Sequence, residues 1–342
     1  MACYHPLSAI QPPKRYPGDK QPLKFLHGYD GLNKELPPGY TFLKVPCGQC
    51  LGCRLEYSRQ WAVRCALEAK QWKHNYFVTL TYADEFLPLS TFERIDTETG
   101  EYFCDTVPVL QPDDLSAFMK RLRSNFKYDY HIDNIRFYGC GEYGSQNERP
   151  HYHVILFNCP IPDLKFLYNK DGYTYYTSEY LEKAWSREVD GVRYKIGIVC
   201  VTEFTFETAA YVARYMLKKH KGKDASYYEE NGLVPEFTRC SRRPGIAHDY
   251  YEQNAGAIYD FDQVVVSSGK GKPIKCHPPV YFDRLFDIDN PEEFVMIKER
   301  RKKTAEESMA RQLGNTDLPV AMYLEVKEAN KSLSVSKLKR SL

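Results

Sequence analysis

Apolar residues recur along this chain in two rhythms. Residues 75–82 (Asn75-Tyr76-Phe77-Val78-Thr79-Leu80-Thr81-Tyr82), 135–144, 151–157 and 196–203 are short runs rich in β-branched and aromatic side chains. Such runs predict strands. Helical spacing governs the stretches between them. One helix fits residues 55 to about 73 and carries Trp61, Arg64, Cys65 and Leu67. A second opens at Gln111-Pro112-Asp113-Asp114-Leu115, with acidic residues at its start and Leu115, Phe118, Met119 and Leu122 as its apolar stripe. A third covers 207–219. The polar stretch 145–150 between two of the strands is short enough to predict a hairpin.

Elsewhere the rhythm weakens. Residues 1 to about 46, rich in Pro, Gly and Lys, read as an extended arm. Residues 90–107 read as a loop with a turn at Thr99-Gly100, and 160–194 as a charged, Tyr-rich insertion. Beyond the third helix, 238–245 reads as a basic loop. A strand at 262–266 leads into a tight basic turn at 267–272, and a charged helical stretch starts near 291. The chain divides into an arm with a cysteine cluster (1–54), a central domain (55–250) and a basic C-terminal extension (251–342), with no repeat at solenoid periods.

Composition narrows the classes. A length of 342 residues with 27% charged side chains predicts one large or two medium globular domains. The net charge is only +2, so a nucleic-acid partner has to be argued from local clusters. The 28 Tyr and 18 Phe suit base stacking and strand surfaces alike. The start Met1-Ala2-Cys3-Tyr4-His5-Pro6 lacks a basic and apolar leader. No apolar run approaches the roughly 18 residues of a membrane span. With no secretory signal, the 11 cysteines predict reduced thiols and a cytosolic protein.

The chemistry concentrates in Arg149-Pro150-His151-Tyr152-His153-Val154-Ile155-Leu156-Phe157. Residues i and i+2 of a strand share a face, so His151 and His153 present two imidazoles together, half of a divalent-metal site. A hairpin centred between Gln146 and Asn147 sets Glu142 opposite His151, where Cβ atoms lie about 5 Å apart. Two His and one carboxylate suit Mg²⁺ or Mn²⁺ once phosphate oxygens and water join the shell. Downstream, Tyr211 and Tyr215 stand i, i+4 on the third helix and share a helical face. A metal site facing two phenols points to phosphodiester cleavage through a phosphotyrosine. With a free pKa of about 10, a phenol needs nearby cations to become a nucleophile. Arg214, Lys218 and Lys219 are placed for that or for gripping phosphate.

Two further clusters stand out. Cys47, Cys50 and Cys53 have Cys-x-x-Cys-x-x-Cys spacing, which can wrap a structural Zn²⁺, with Cys3 or His5 as the fourth ligand. An iron–sulfur cluster is the other reading, and nothing else in the chain points to redox chemistry. The remaining cysteines read as small buried apolar residues. Arg239, Arg242 and Arg243 form a basic cluster suited to phosphates. Gly269-Lys270-Gly271-Lys272 is not a P-loop, since its glycine spacing is wrong and Pro273 stands where Ser or Thr is required. No ATP use is expected.

Three segments together resemble the HUH endonuclease superfamily, and most of all the rolling-circle replication initiation proteins of Microviridae phages of the gokushovirus type. They are the run 77–82, the His151/His153 segment and Tyr211-Val212-Ala213-Arg214-Tyr215, in the family's order and approximate spacing. The cysteine segment, Ser58-Arg59-Gln60-Trp61 and Ser241-Arg242-Arg243-Pro244-Gly245 carry the likeness further, over roughly residues 45–250. The resemblance implies an α+β fold, an HUH endonuclease-like central antiparallel sheet with flanking helices. It also implies a divalent metal and nicking of a single-stranded DNA origin. The partners would be a host helicase and replication machinery, and the place of work the cytoplasm of a bacterial host cell, with no membrane. The family often has Lys between the tyrosines. Arg214 keeps the charge there but cannot carry a proton. A transposase or relaxase of the same superfamily and a non-enzymatic, zinc-dependent DNA-binding protein are the competing readings.

Overall fold

The structure is a computed structural model and describes residues 3–13, 22–26, 36–95, 98–144, 147–214, 226–266 and 273–337. It contains two compact units, residues 1–57 with 301–341 and residues 58–300. In the first, β1 (Leu7–Gln11) lies between β2 (Lys24–Phe25) and β3 (Thr41–Val45) in an antiparallel sheet. The N-terminal segment is therefore more than an extended arm. Its few apolar residues, Ala9 and Ile10, are buried by strand pairing that a Pro- and Lys-rich composition hides. Helix α1 (Leu51–Ala69) starts earlier than periodicity predicts.

The second unit is built on a sheet. Its elements run β4 (Asn75–Thr81), the hairpin of β5 (Leu89–Ile95) and β6 (Tyr102–Pro108), α2 (Pro112–Tyr130), β7 (Arg136–Tyr143) and β8 (Pro150–Phe157). There follow β9 (Lys165–Lys170), β10 (Tyr173–Thr177), α3 (Glu179–Ala184), β11 (Ser186–Val189), β12 (Val192–Lys195), β13 (Val199–Glu203) and α4 (Phe206–Arg214). The unit continues with α5 (Ser226–Glu230), β14 (Phe237–Cys240), α6 (His248–Phe261), β15 (Val264–Val266), β16 (Ile274–Cys276) and α7 (Val280–Asp289). Two long helices close the chain, α8 (Pro291–Leu313) and α9 (Val320–Ser336). Among the described residues the main sheet has seven strands in the order β14-β7-β8-β4-β13-β10-β9, every neighbouring pair antiparallel. This is the α+β architecture, an antiparallel sheet with helices on its faces.

Both faces of the central strands are covered, which is why β8 reads as a near-continuous apolar run. On one face Phe77, Tyr138, Ile155 and Phe157 meet α1, α4, α6 and α7. On the other, Val78, Leu80, Tyr152, Val154 and Leu156 meet α2 and α3. Each fully buried large side chain contributes about 1.5–3 kcal/mol. Helix α2 needs no side-chain cap. Pro112, Asp113 and Asp114 suit its first turn, and His131 ends it in the left-handed region, with its N–H and that of Ile132 donated to Phe126 O. Gly141 lets α2's leading segment close on β7, since a Cβ there would stand 2.7 Å from Phe237 and 2.9 Å from Leu110.

Three local expectations change. Residues 90–107 are mostly the paired strands β5 and β6 rather than a loop, with Leu89 opposite Pro108 and Ile95 opposite Tyr102. Residues 238–240 belong to the edge strand β14, not to a loop, because β7 offers them a ladder. Cys104 is exposed, whereas Cys65, Cys140 and Cys159 are buried as expected. The basic turn at 267–272 lies outside the described residues. Among the described residues no helix is long and apolar enough to cross a membrane.

Candidate active site

The β7–β8 hairpin sets the site. Its register pairs Glu142 with His151 and Cys140 with His153, so both imidazoles and the carboxylate share the face covered by α1 and α4. This is the pairing a turn centred between residues 146 and 147 produces. The turn is held where Gly144 N–H donates to Arg149 O at 3.0 Å. Arg149 ties it to the end of β4, donating to Tyr82 O at 2.8 Å and pairing with Asp84 at 2.6 Å.

His151 Nε2 lies 2.7 Å and His153 Nε2 3.1 Å from the same Glu142 oxygen, Oε1. The two rings stand edge to face, 4.9 Å apart. Their other nitrogens are held from behind, His151 Nδ1 by Arg149 O at 3.1 Å and His153 Nδ1 by the Thr79 hydroxyl at 3.0 Å. That backing fixes each ring so that Nε2 is the nitrogen offered forward. Glu142 is 2% exposed and His153 6%, so the carboxylate sits in a low-dielectric position. Burial alone would raise the Glu142 carboxyl. Hydrogen bonds from His151 and His153, and the charge on those rings when protonated, outweigh burial and hold it at about 2. Three ligand atoms within 4.8 Å, two imidazole nitrogens and one carboxylate oxygen, fit a divalent cation that takes its remaining ligands from phosphate and water.

Helix α4 brings Tyr211 to this triad. Its start is capped reciprocally, with Thr208 N–H donating to Thr205 Oγ1 at 3.1 Å and Thr205 N–H to Thr208 Oγ1 at 2.9 Å. Ala209, Val212 and Ala213 are fully buried against the sheet, small enough for close approach. The half-buried Tyr211 ring then meets His153 edge-on at 5.6 Å and Phe77 at 6.2 Å, while Phe77 stacks on His153 at 5.2 Å. Arg214 ends the described part of α4. Tyr215, Lys218 and Lys219 lie outside the described residues.

Tyr152, the bulky residue between the histidines, faces the opposite core. Its hydroxyl donates to Gln111 O and accepts from Gln111 N–H, each at 2.9 Å, and lies 2.9 Å from the Tyr82 hydroxyl. Tyr82 in turn donates to Asp114 at 2.6 Å, which also pairs with Arg187. Burial pushes the Tyr152 phenol up to about 12, which keeps it neutral. A tyrosine is thus tolerated at an apolar position because α2's first turn satisfies its hydroxyl.

The three arginines beyond part company. Arg239 is turned inward, donating to Pro112 O at 2.9 Å and to the Ser116 hydroxyl. Arg242 and Arg243 are exposed. Their loop is anchored by groups that the sequence does not single out. Arg136 donates to Pro244 O at 3.2 Å and Gly245 O at 2.8 Å, and Arg64 to Ile246 O at 3.0 Å. Glu68 accepts from Ala247 N–H at 2.5 Å and pairs with Arg136. Arg64 itself lies between Trp61 and Tyr281, 4.2 and 4.0 Å from the ring centres. Thr79 and Arg149 are likewise not apparent from sequence. Their signal lies in the register, since Thr79 stands opposite His153 on β4.

Relatives identify the family. Over 315 residues the chain is 36% identical to the replication-associated protein ORF2 of Spiroplasma virus 4, covering 90% of this chain and 88% of that protein. The chain belongs to the replication-associated protein ORF2 family. The profile of that family matches residues 75–220, from β4 through the tyrosine segment. The replication-associated protein VP4 of Bdellovibrio phage phiMH2K is 28% identical over 283 residues, 80% of this chain and 78% of its own. The replication-associated protein ORF4 of Chlamydia phage 1 is 31% identical over 180 residues, 51% and 38% respectively. No solved structure matches the chain significantly. The motif-based resemblance thus holds for the family and for its phage source, and ties this chain to phage replication.

Proposed function

We propose that this protein nicks single-stranded origin DNA through a 5′-phosphotyrosine and later rejoins the ends, the reaction that starts rolling-circle replication. One observation carries the reading most directly: the Tyr211 ring packs on His153, which with His151 converges on a single oxygen of Glu142. A purely DNA-binding module has no use for that convergence. Mg²⁺ or Mn²⁺ bound by Glu142, His151 and His153 would polarise and orient the scissile phosphate.

The remaining work falls to the chain's own groups. The Tyr211 oxygen attacks phosphorus and loses its proton, and the 3′-oxygen leaves and takes one up. One phosphodiester bond breaks as one phosphotyrosine bond forms, so a 3′-hydroxyl can later reverse the step without an energy source. Tyr215, four residues on, gives the helix a second nucleophile for a second cleavage. Arg214, Lys218 and Lys219 favour phenolate or hold phosphate, and the exposed Arg242 and Arg243 grip the backbone without reading bases. Lacking a nucleotide-binding motif, the protein leaves strand separation to a host helicase in the bacterial cytoplasm.

The test is incubation with labelled single-stranded origin DNA and Mn²⁺, followed by a denaturing gel. A covalent adduct that needs metal, survives in at least one of Tyr211→Phe and Tyr215→Phe and vanishes in the double variant is expected. Tight, metal-independent binding with no adduct would overturn the reading.

A further inference from the structure

A second cluster lies wholly in the unit formed by the two ends of the chain. Cys3 precedes β1, while Cys47, Cys50 and Cys53 run from the end of β3 into the first turn of α1. The four Sγ atoms all lie within 4.8 Å of one another, and Cys3 and Cys50 are 3.9 Å apart. Four thiolates placed tetrahedrally at the Zn–S distance of about 2.3 Å stand about 3.8 Å from each other. The observed spacing is therefore that of ligands around one ion, and far too long for a disulfide.

The surroundings fit a thiolate cluster. Backbone N–H groups aim at sulfur: Tyr4 at Cys50 (3.4 Å), Cys47 at Cys3 (3.3 Å), and both Gln49 (3.4 Å) and Cys50 (3.3 Å) at Cys47. The N-terminus of α1, which begins at Leu51, adds its positive end to the same place. Tyr4 and Leu324 bury one side, with Met309 against them. His5, the other expected ligand, is occupied elsewhere. Its Nε2 lies 2.5 Å from Glu328, which also accepts from Leu51 N–H at 2.9 Å.

We propose that Cys3, Cys47, Cys50 and Cys53 hold a structural zinc ion that fastens the open end of the β1–β3 ladder to the start of α1. Leu7 pairs with Val45 at that end, and Cys3 and Cys47 lie just beyond the pair. About thirty residues separate the two strands, so the ion closes a long loop whose ordering entropy strand pairing alone has to overcome. Four protein ligands leave no open position, which makes the site structural rather than catalytic. The zinc site shares no residue with the Glu142 triad and does not depend on the nicking proposal.

Metal analysis of the full-length protein tests it. The wild type, His5→Ala and a triple alanine variant of Glu142, His151 and His153 are expected to retain one zinc ion per chain through dialysis. Cys3→Ser and Cys50→Ser are expected to lose it. Cobalt-exchanged wild type should show thiolate-to-metal charge-transfer absorption and tetrahedral d–d bands, a readout that does not depend on how the cysteine variants fold. Wild type purified without zinc, or with iron and sulfide in its place, would overturn the proposal. So would zinc lost with the triad, or a cobalt spectrum lacking thiolate bands.

Discussion

For single residues, the site depends on what holds the imidazoles. Thr79 touches no substrate; its hydroxyl sets the His153 ring from behind. Thr79→Val is expected to weaken Mn²⁺ binding 10–100-fold, measured by calorimetric titration, with little change in thermal midpoint. Glu142 adds a pH signature. Its folded pKa of about 2 lies below the ordinary 4.5, so its contribution to stability is complete above about 4.5 and is lost as pH falls toward 2. Denaturant unfolding in EDTA should show the gap between wild type and Glu142→Gln narrowing from pH 6 to pH 3. A gap that stays constant would mean the carboxylate is not stabilised by the two histidines. These residues are partly legible in the sequence. Period-2 spacing puts the histidines on one face, and turn symmetry yields Glu142. Thr79 and Arg149 stay hidden because their roles depend on which strand lies next to β8.

Among the elements, some follow from local chemistry and others from long-range pairing. The α2 start, the β7–β8 hairpin and the tyrosine helix follow from signals within a few residues. Two further hairpins carry an equally local signal inside what otherwise reads as a charged insertion. Asp171-Gly172 and Asp190-Gly191 have positive φ at both positions and join β9 to β10 and β11 to β12. Asp-Gly between strand runs is a strong two-residue turn signal. The strands at the N-terminus are less accessible, because β1 pairs with β3 across about thirty residues. Two changes test the element packing. Thr205→Ala removes the α4 cap and should cost about 1 kcal/mol. Gly141→Val drives a side chain into Phe237 and Leu110 and should cost about 1–3 kcal/mol, both read from chemical denaturation.

Over the whole molecule, a net charge of +2 means that DNA contact comes from a few placed cations rather than from bulk charge. Arg242 and Arg243 are presented by a loop that Arg136, Arg64 and Glu68 fix from below. Arg242→Ala and Arg243→Ala should each lower the slope of log affinity against log salt by roughly one, equally for any sequence. Arg239→Ala should leave the slope unchanged, because that guanidinium is spent on α2. Sequence alone groups all three arginines together; only the β14–β7 pairing, which turns Arg239 toward Ser116, separates them.

Everything proposed for the site turns on a tyrosine of α4 or its continuation becoming the covalent carrier of the DNA. Mass spectrometry of tryptic peptides from the isolated adduct, after nuclease trimming, reads that link directly. A 5′-nucleotide ester on Tyr211 or Tyr215 is expected. A nucleotide found on any other residue, or linked through its 3′ end, would contradict it.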